Sequence, residues 1–293
     1  MAKKNSKLMI VFAAIALAAY GCRQFSSNET ADTANATTRS TESGHAGKAA
    51  QGTAPAGNRD QGAYECPRWV RTGTAEQMLK RMAYTVSYNC ERLTPNWVGW
   101  VLTAEHTDGS FERKGHKFME DQEVPAPRAT YADIREGECG YQRGHICPAG
   151  DNKWSYQAQK EAFLMTNICP QNGDLNQRDW KYLEEACRDW AKRYGKVYIV
   201  AGPIFRSRRA KKVGENGVSV PDAFFKVVLR LGEGTSATKA IGFIYENRKG
   251  HYEMAHYVRS VDEVEAATGL DFFYQLDDKT EEAVEQENNL DDW

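Results

Sequence analysis

A chain of 293 residues, 41% hydrophobic and 27% charged, has the make-up of an ordinary globular protein and can bury a core without help from metals or cross-links. Its net charge of −2 hides an uneven spread: −7 over residues 277–293, +2 over 1–65 and +3 over 66–276. A mildly basic body accommodates a polyanionic partner without demanding one.

The chain opens with Lys3, Lys4 and Lys7, the apolar run LMIVFAAIALAAY at 8–20, then Gly21 and Cys22, the order of an export signal. This run is too short to span a bilayer, which takes about 20 residues. AYGC resembles a bacterial lipobox, with Ala19 and Tyr20 replacing the usual aliphatic and small residues. That resemblance implies a lipid on Cys22 and a membrane-anchored lipoprotein facing the periplasm or the cell surface; cleaved secretion and an uncleaved anchor are the alternatives. Residues 23–63 are rich in Ser, Thr, Ala, Asn and Gly and almost lack large apolar side chains. Such a stretch cannot bury enough surface to offset ordering entropy, so it is expected to be a disordered linker, with His45 solvated in it.

From Tyr64 to residue 276 aromatic and aliphatic residues return and mark the folded domain. β-branched and aromatic runs bounded by turn residues predict strands at 97–103, 196–202, 223–231 and 239–246, the last two as an antiparallel hairpin. The connecting GEGTSAT does not match the phosphate-binding GxxxxGK[ST] pattern. A helix is predicted over 176–194, where Trp180, Leu183, Ala186, Cys187, Trp190 and Ala191 recur at spacings of three and four. Another starts at Ser260, whose SVDE makes a capping box with Glu263. Helices and strands that do not alternate argue for an α+β fold rather than a doubly wound parallel sheet. Residues 277–293 read as a solvated acidic tail beyond the domain.

With Cys22 lipidated, Cys66, Cys90, Cys139, Cys147, Cys169 and Cys187 remain, an even number that in an exported chain predicts disulfides without fixing their pairing. A zinc site at Cys139, His145, Cys147 and Cys169 is the rival reading, weakened by the lack of any C-x2-C pair.

The chemistry centres on GYQRGHICPAGDNKW at 140–154. On the tripeptide RGH alone, His145 reads as a satisfied, partly buried ring. The wider context changes that. YQRGHICPAGDN, then FLMTNICPQNGDLNQRDWKYLEEACRDW, then VYIVAGPIF resemble successive signature blocks of the DNA/RNA non-specific endonucleases, the ββα-metal nuclease family. YTVSYN and LTPNWVGWVLT upstream, with VSVPDAFFKVV and SVDEVEAATGLDFF downstream, extend the similarity over about 80–276. The resemblance implies a central antiparallel sheet flanked by helices, with a ββα-metal active-site motif.

It also implies roles. His145 is the general base, Asn176 the direct protein ligand of Mg2+ (or Mn2+), and Glu184 a group holding metal-bound water. Arg143 sits by the phosphate or braces the site, and Asn167 orients its neighbours. Arg188 and Arg113 correspond to arginines that neutralise the scissile phosphate. The partners are DNA and RNA, held through phosphates, and the products carry 5′-phosphates. The chain departs from the usual Asp-Arg-Gly-His in having Gln142. That departure motivates a second reading, a catalytically inactive surface lipoprotein that binds nucleic acid on the same scaffold.

These residue types suit phosphodiester hydrolysis. Neutral imidazole can take a proton from water near pH 7, and Mg2+ held by one neutral amide stays electrophilic. Recognition through phosphates leaves base sequence largely unread. If 176–184 is helical throughout, its residues rise roughly 12 Å, so Glu184 acts through water rather than directly on the ion. The bland alternative for Glu184 and Arg188 is an i,i+4 surface pair, at about 0.3–0.5 kcal/mol. RSRRAKK at 206–212 either tracks phosphates or is a solvated loop. His106, His116, His251 and His256 match no motif and are assigned to structure or surface.

Overall fold

Side chains of an extended backbone alternate between two faces, and in this chain both faces of the main sheet are apolar. The computed structural model describes residues 63–71, 73–232 and 237–293. The export signal, Cys22 and His45 lie outside the described residues, as does the linker apart from residue 63. In chain order the strands are β1 (Arg68–Trp69), β2 (Gln77–Lys80), β3 (Thr85–Asn89), β4 (Thr94–Thr103), β5 (Gln142–His145), β6 (Ile168–Gln171) and β7 (Lys196–Ile204). They continue with β8 (Lys212–Val213), β9 (Val218–Ser219), β10 (Ala223–Arg230), β11 (Lys239–Glu246), β12 (Val258–Arg259) and β13 (Leu270–Asp271). Seven form one antiparallel sheet in the order β12-β11-β10-β7-β4-β3-β2. The expected hairpin is β10–β11, paired from Ala223↔Glu246 to Arg230↔Lys239. The fold is α+β.

Alternation along β4, β7, β10 and β11 separates two cores. Trp100, Ile199, Phe224, Val228 and Phe243 face the long helix Asp179–Tyr194 and meet its Trp180, Leu183 and Cys187. Trp97, Val200, Phe225, Val227 and Leu229 face the other way, toward Val261 and Val264 of the helix Val261–Thr268, Phe272, and Val284 of the helix Asp278–Glu285. Phe224, Phe225, Val227 and Val228 are completely buried, each contributing on the order of 1.5–3 kcal/mol of transfer free energy. Gly242 permits the close helix contact, because a Cβ there would lie 2.8 Å from Val264 Cγ2. The Ser260 capping box forms as predicted.

On the face of the long helix, β5 and β6 make a separate two-stranded ribbon with Arg143 opposite Pro170 and His145 opposite Ile168. Gly144 is required by the close pairing: a Cβ would come within 2.1 Å of Gln171 Oε1. The chain then turns into a short helix, Gly173–Gln177, capped by Asn172 Oδ1, which accepts from the amides of Asp174 and Leu175.

The structure corrects three expectations. The single helix over 176–194 is two helices, divided at Arg178 with φ −124° and ψ −92°. The apolar repeat begins only at Trp180, so nothing in it binds Asn176 to the same axis. Second, of the six cysteines expected to pair, Cys66, Cys139, Cys147, Cys169 and Cys187 are free thiols and only Cys90 is disulfide-bonded; the large core stands without cross-links among those five.

Third, the acidic segment is not a solvated tail. Asp277 caps the helix Asp278–Glu285, Val284 enters the second core, and Trp293 packs on Trp190 at 4.9 Å between ring centres. Lys239 Nζ pairs with Glu287 at 2.8 Å and Asp292 at 3.2 Å. Arg193 donates to the Trp293 carbonyl and Arg230 to that of Asp292. A few apolar anchors and cations of the body thus hold a segment whose charge alone suggested exposure. Among the described residues no helix is long and apolar enough to cross a membrane.

Candidate active site

His145 ends β5 and is 8% exposed. Its ring stands edge-on to Phe163 at 5.0 Å and tilted against Phe118 at 5.3 Å, and its Nε2 is buried without a hydrogen-bond partner. The backbone around it is fixed from several sides. Trp180 Nε1 donates to the His145 carbonyl at 3.3 Å, and Ile146 N donates to the Asn167 carbonyl at 3.0 Å. Asn167, fully buried, accepts from Cys147 N at 2.9 Å and donates to the carbonyls of Cys147 and Ala162 at 2.8 and 2.9 Å. Burial, helped by the charge of Arg113, pushes the imidazole down to about 3. His145 is therefore neutral at neutral pH, the state that accepts a proton.

Arg143 donates to the carbonyls of Tyr131 and Ile134 at 3.1 and 2.8 Å, and its guanidinium lies 4.8 Å over Phe118. It braces the aromatic wall beside His145. Arg113 is exposed, with its guanidinium 5.8 Å from the centre of Phe163. His116, for which the sequence offered no motif, stacks on Phe163 at 5.6 Å and belongs to the same wall.

Gln142, opposite Gln171 in the terminal pair of the ribbon, links two groups. Asn176 Nδ2 donates to Gln142 Oε1 at 2.8 Å, and Gln142 Nε2 donates to Glu136 Oε1 at 2.6 Å. A side-chain amide can accept from one neighbour and donate to the other, which an ionised carboxylate cannot. An acid at this position would set two carboxylates against each other. With its amide nitrogen held, Asn176 has its Oδ1 oriented and available as a metal ligand.

The long helix adds Glu184 and Arg188. Burial pushes the partly buried Glu184 carboxyl up to about 7; Lys226 and Arg188 oppose this while Asp151 adds to it. Arg188 makes its ion pair with Asp151, at 3.0 Å, rather than with Glu184. The second Asp151 oxygen accepts from Trp100 Nε1 at 3.0 Å. Lys226 is completely buried on β10 without a hydrogen-bond partner, its Nζ 4.5 Å from Trp180 and 5.5 Å from Trp100. Sequence reasoning missed Asp151 and Lys226. A lysine inside the apolar run AFFKVV was the available signal.

His145 and Arg143 thus lie on β5, Asn167 in the turn before β6, Asn176 on the short helix and Glu184 and Arg188 on the long helix, while Arg113 stands beside Phe163 of the wall around His145. Cys139, His145, Cys147 and Cys169 do not converge into a metal cluster among the described residues. The basic run is partly committed: Arg206 grips Glu246 with two hydrogen bonds, and Lys211 lies over Tyr141.

The DNA/RNA non-specific endonuclease family model matches residues 68–279. The chain belongs to this family. It is 34% identical over 222 residues to nuclease C1 of Cunninghamella echinulata var. echinulata, covering 71% of this chain and 87% of that one. It is 33% identical over 216 residues to mitochondrial nuclease EXOG of Xenopus laevis, covering 70% of this chain but 60% of that longer protein. Its structure is similar to EndoG in the crystal structure of the EndoG/EndoGI complex, with a TM-score of 0.64, 27% identity, and coverage of 70% of this chain and 89% of that one. Family membership makes the chain a phosphodiester hydrolase of the nuclease class, in a family that depends on a divalent metal.

Proposed function

We propose that the protein is a Mg2+-dependent endonuclease that hydrolyses DNA and RNA with little sequence preference and leaves 5′-phosphate ends. The observation that carries this reading is the pairing of a neutral, buried His145 with an unpartnered Nε2 and an Asn176 whose carbonyl oxygen is oriented by Gln142. His145 takes the proton of the attacking water at Nε2. The donor set fits Mg2+, or Mn2+ in its place: one neutral amide oxygen from Asn176, with Glu184 holding water nearby. When bound, the ion supplies Lewis-acid stabilisation of the phosphoryl and leaving 3′ oxygens. Arg188, fixed by Asp151, and Arg113 neutralise phosphate charge, while Arg143 and Asn167 hold the frame.

Gln142 does not favour the inactive-scaffold reading, because its amide performs the linking just described. The N-terminal sequence supports export, with a lipid on Cys22 as the proposed anchor. The test is a plasmid-nicking assay with Mg2+ and EDTA lanes on wild type and His145→Ala. The variant is expected to lose at least about 10³-fold in rate while binding nucleic acid normally in an anisotropy titration. Near-wild-type nicking by the variant, or full activity in excess EDTA, overturns the assignment.

A further inference from the structure

On the sheet face opposite His145, three carboxylates converge. Asp262 and Glu265 lie three residues apart on the helix Val261–Thr268, a spacing that puts them on one side of it. Glu285 closes the helix Asp278–Glu285, which shares the second core through Val284. One oxygen from each of the three lies within 4.8 Å of the other two. Glu285 is the decisive member: it is 8% exposed, and its Oε1 is buried with no hydrogen-bond partner. Glu265 is fixed by the Phe272 amide, which donates to its Oε1 at 2.7 Å.

The surroundings supply little compensating charge. Asp271 and Glu281 add to the negative field, and Arg68 is paired with Asp271 at 2.7 Å. Crowded carboxylates, one of them with a buried oxygen that no protein donor satisfies, are an arrangement a hard cation stabilises.

We propose that Asp262, Glu265 and Glu285 bind a divalent cation of the calcium class, separate from the site at Asn176. All three donors are carboxylate oxygens, the ligands calcium takes at about 2.3–2.6 Å, so oxygens on opposite sides of one ion stand up to about 5 Å apart. Magnesium, at about 2.0–2.1 Å and octahedral, demands a tighter and more regular set. Asp262 is exposed, so water completes the shell from outside. The ion cross-links the helix Val261–Thr268 to the C-terminal helix and holds the acidic segment on the domain. Its effect is on stability, because the sheet lies between it and His145, and it does not depend on the nuclease reading.

The experiment uses full-length protein carrying Asn176→Ala, stripped with chelator and dialysed, so that calcium binding elsewhere is measured alone. Isothermal titration with Ca2+ is expected to show one site, and Ca2+ at about 5 mM, above the weak end of protein calcium sites, is expected to raise Tm by several degrees. Glu285→Gln and Asp262→Asn, in the same background, each lower calcium affinity by about tenfold or more and remove the Tm shift. In the otherwise wild-type chain both leave Mg2+-dependent nicking unchanged. Asp262 is exposed, so its variant decides the matter where Glu285→Gln fails to fold. Absence of Ca2+ binding by the Asn176→Ala protein, binding unaltered in Asp262→Asn, or an equal response to Mg2+ overturns the proposal. Loss or survival of nicking is read separately and bears only on the active-site assignment.

Discussion

Gln142 shows how much one side-chain nitrogen can decide. Its carbonyl oxygen receives the Asn176 amide and its nitrogen reaches Glu136, so the residue that departs from the family's usual acid orients the proposed metal ligand. Gln142→Ala is expected to weaken the Mg2+ requirement's half-saturation by about 10–100-fold, the usual effect of removing a group that orients a ligand. A magnesium titration of nicking checks this, and saturating metal restores much of the rate. His145 gives a pH prediction. Its folded value of about 3 lies below the ordinary 6.5. Above pH 6.5 neither the folded nor the unfolded chain protonates this ring, and it contributes no pH dependence. As pH falls below 6.5 the unfolded chain takes up a proton that the buried ring refuses, and stability drops by about 4 kcal/mol at pH 3.5. Urea denaturation from pH 7 to 4 is expected to show this loss in wild type and a flatter profile in His145→Phe.

At the scale of elements, the ββα unit depends on a single buried amide. Asn167 makes three hydrogen bonds that tie the segment after His145 to the loop before β6. Asn167→Ala orphans the Cys147 N–H and two carbonyls, so it is expected to cost about 3 kcal/mol in urea denaturation and to slow nicking without touching substrate. The four central strands of the main sheet, β4, β7, β10 and β11, were legible in the sequence because each is a long β-branched or aromatic run, and the hairpin pairing of the last two followed; β2, β3 and β12 are shorter and were not marked. The long helix was legible from Trp180 onward for the same reason of period. β5 and β6 were not: QRGH and ICPQ are four residues each and contain Gly and Pro, so no alternation marks them. The site residues on them were found through motif resemblance alone. The break at Arg178 was hidden because the residues on both sides suit a helix. Asp151 and Lys226 escaped because their partners, Arg188 and the two tryptophans, come from distant parts of the chain.

For the whole molecule, composition misled at the C-terminus. A net charge of −7 over 277–293 pointed to solvent, but Val284 and Trp293 decided the outcome by burial. Trp293 is 9% exposed and packs on Trp190 and Tyr194. Trp293→Ala is expected to destabilise the protein by about 3 kcal/mol, measurable by urea denaturation, with nicking at low temperature retained. Near its other end the described chain enters on the side of the sheet that buries Val284, away from the long helix. Tyr64 meets Tyr198 at 5.1 Å between ring centres, and β1 pairs with β13, Arg68 opposite Asp271. His145 and Asn176 belong to the opposite side. The proposed N-terminal tether therefore joins the domain on the face away from His145 and Asn176, so the point of attachment leaves the proposed site uncovered.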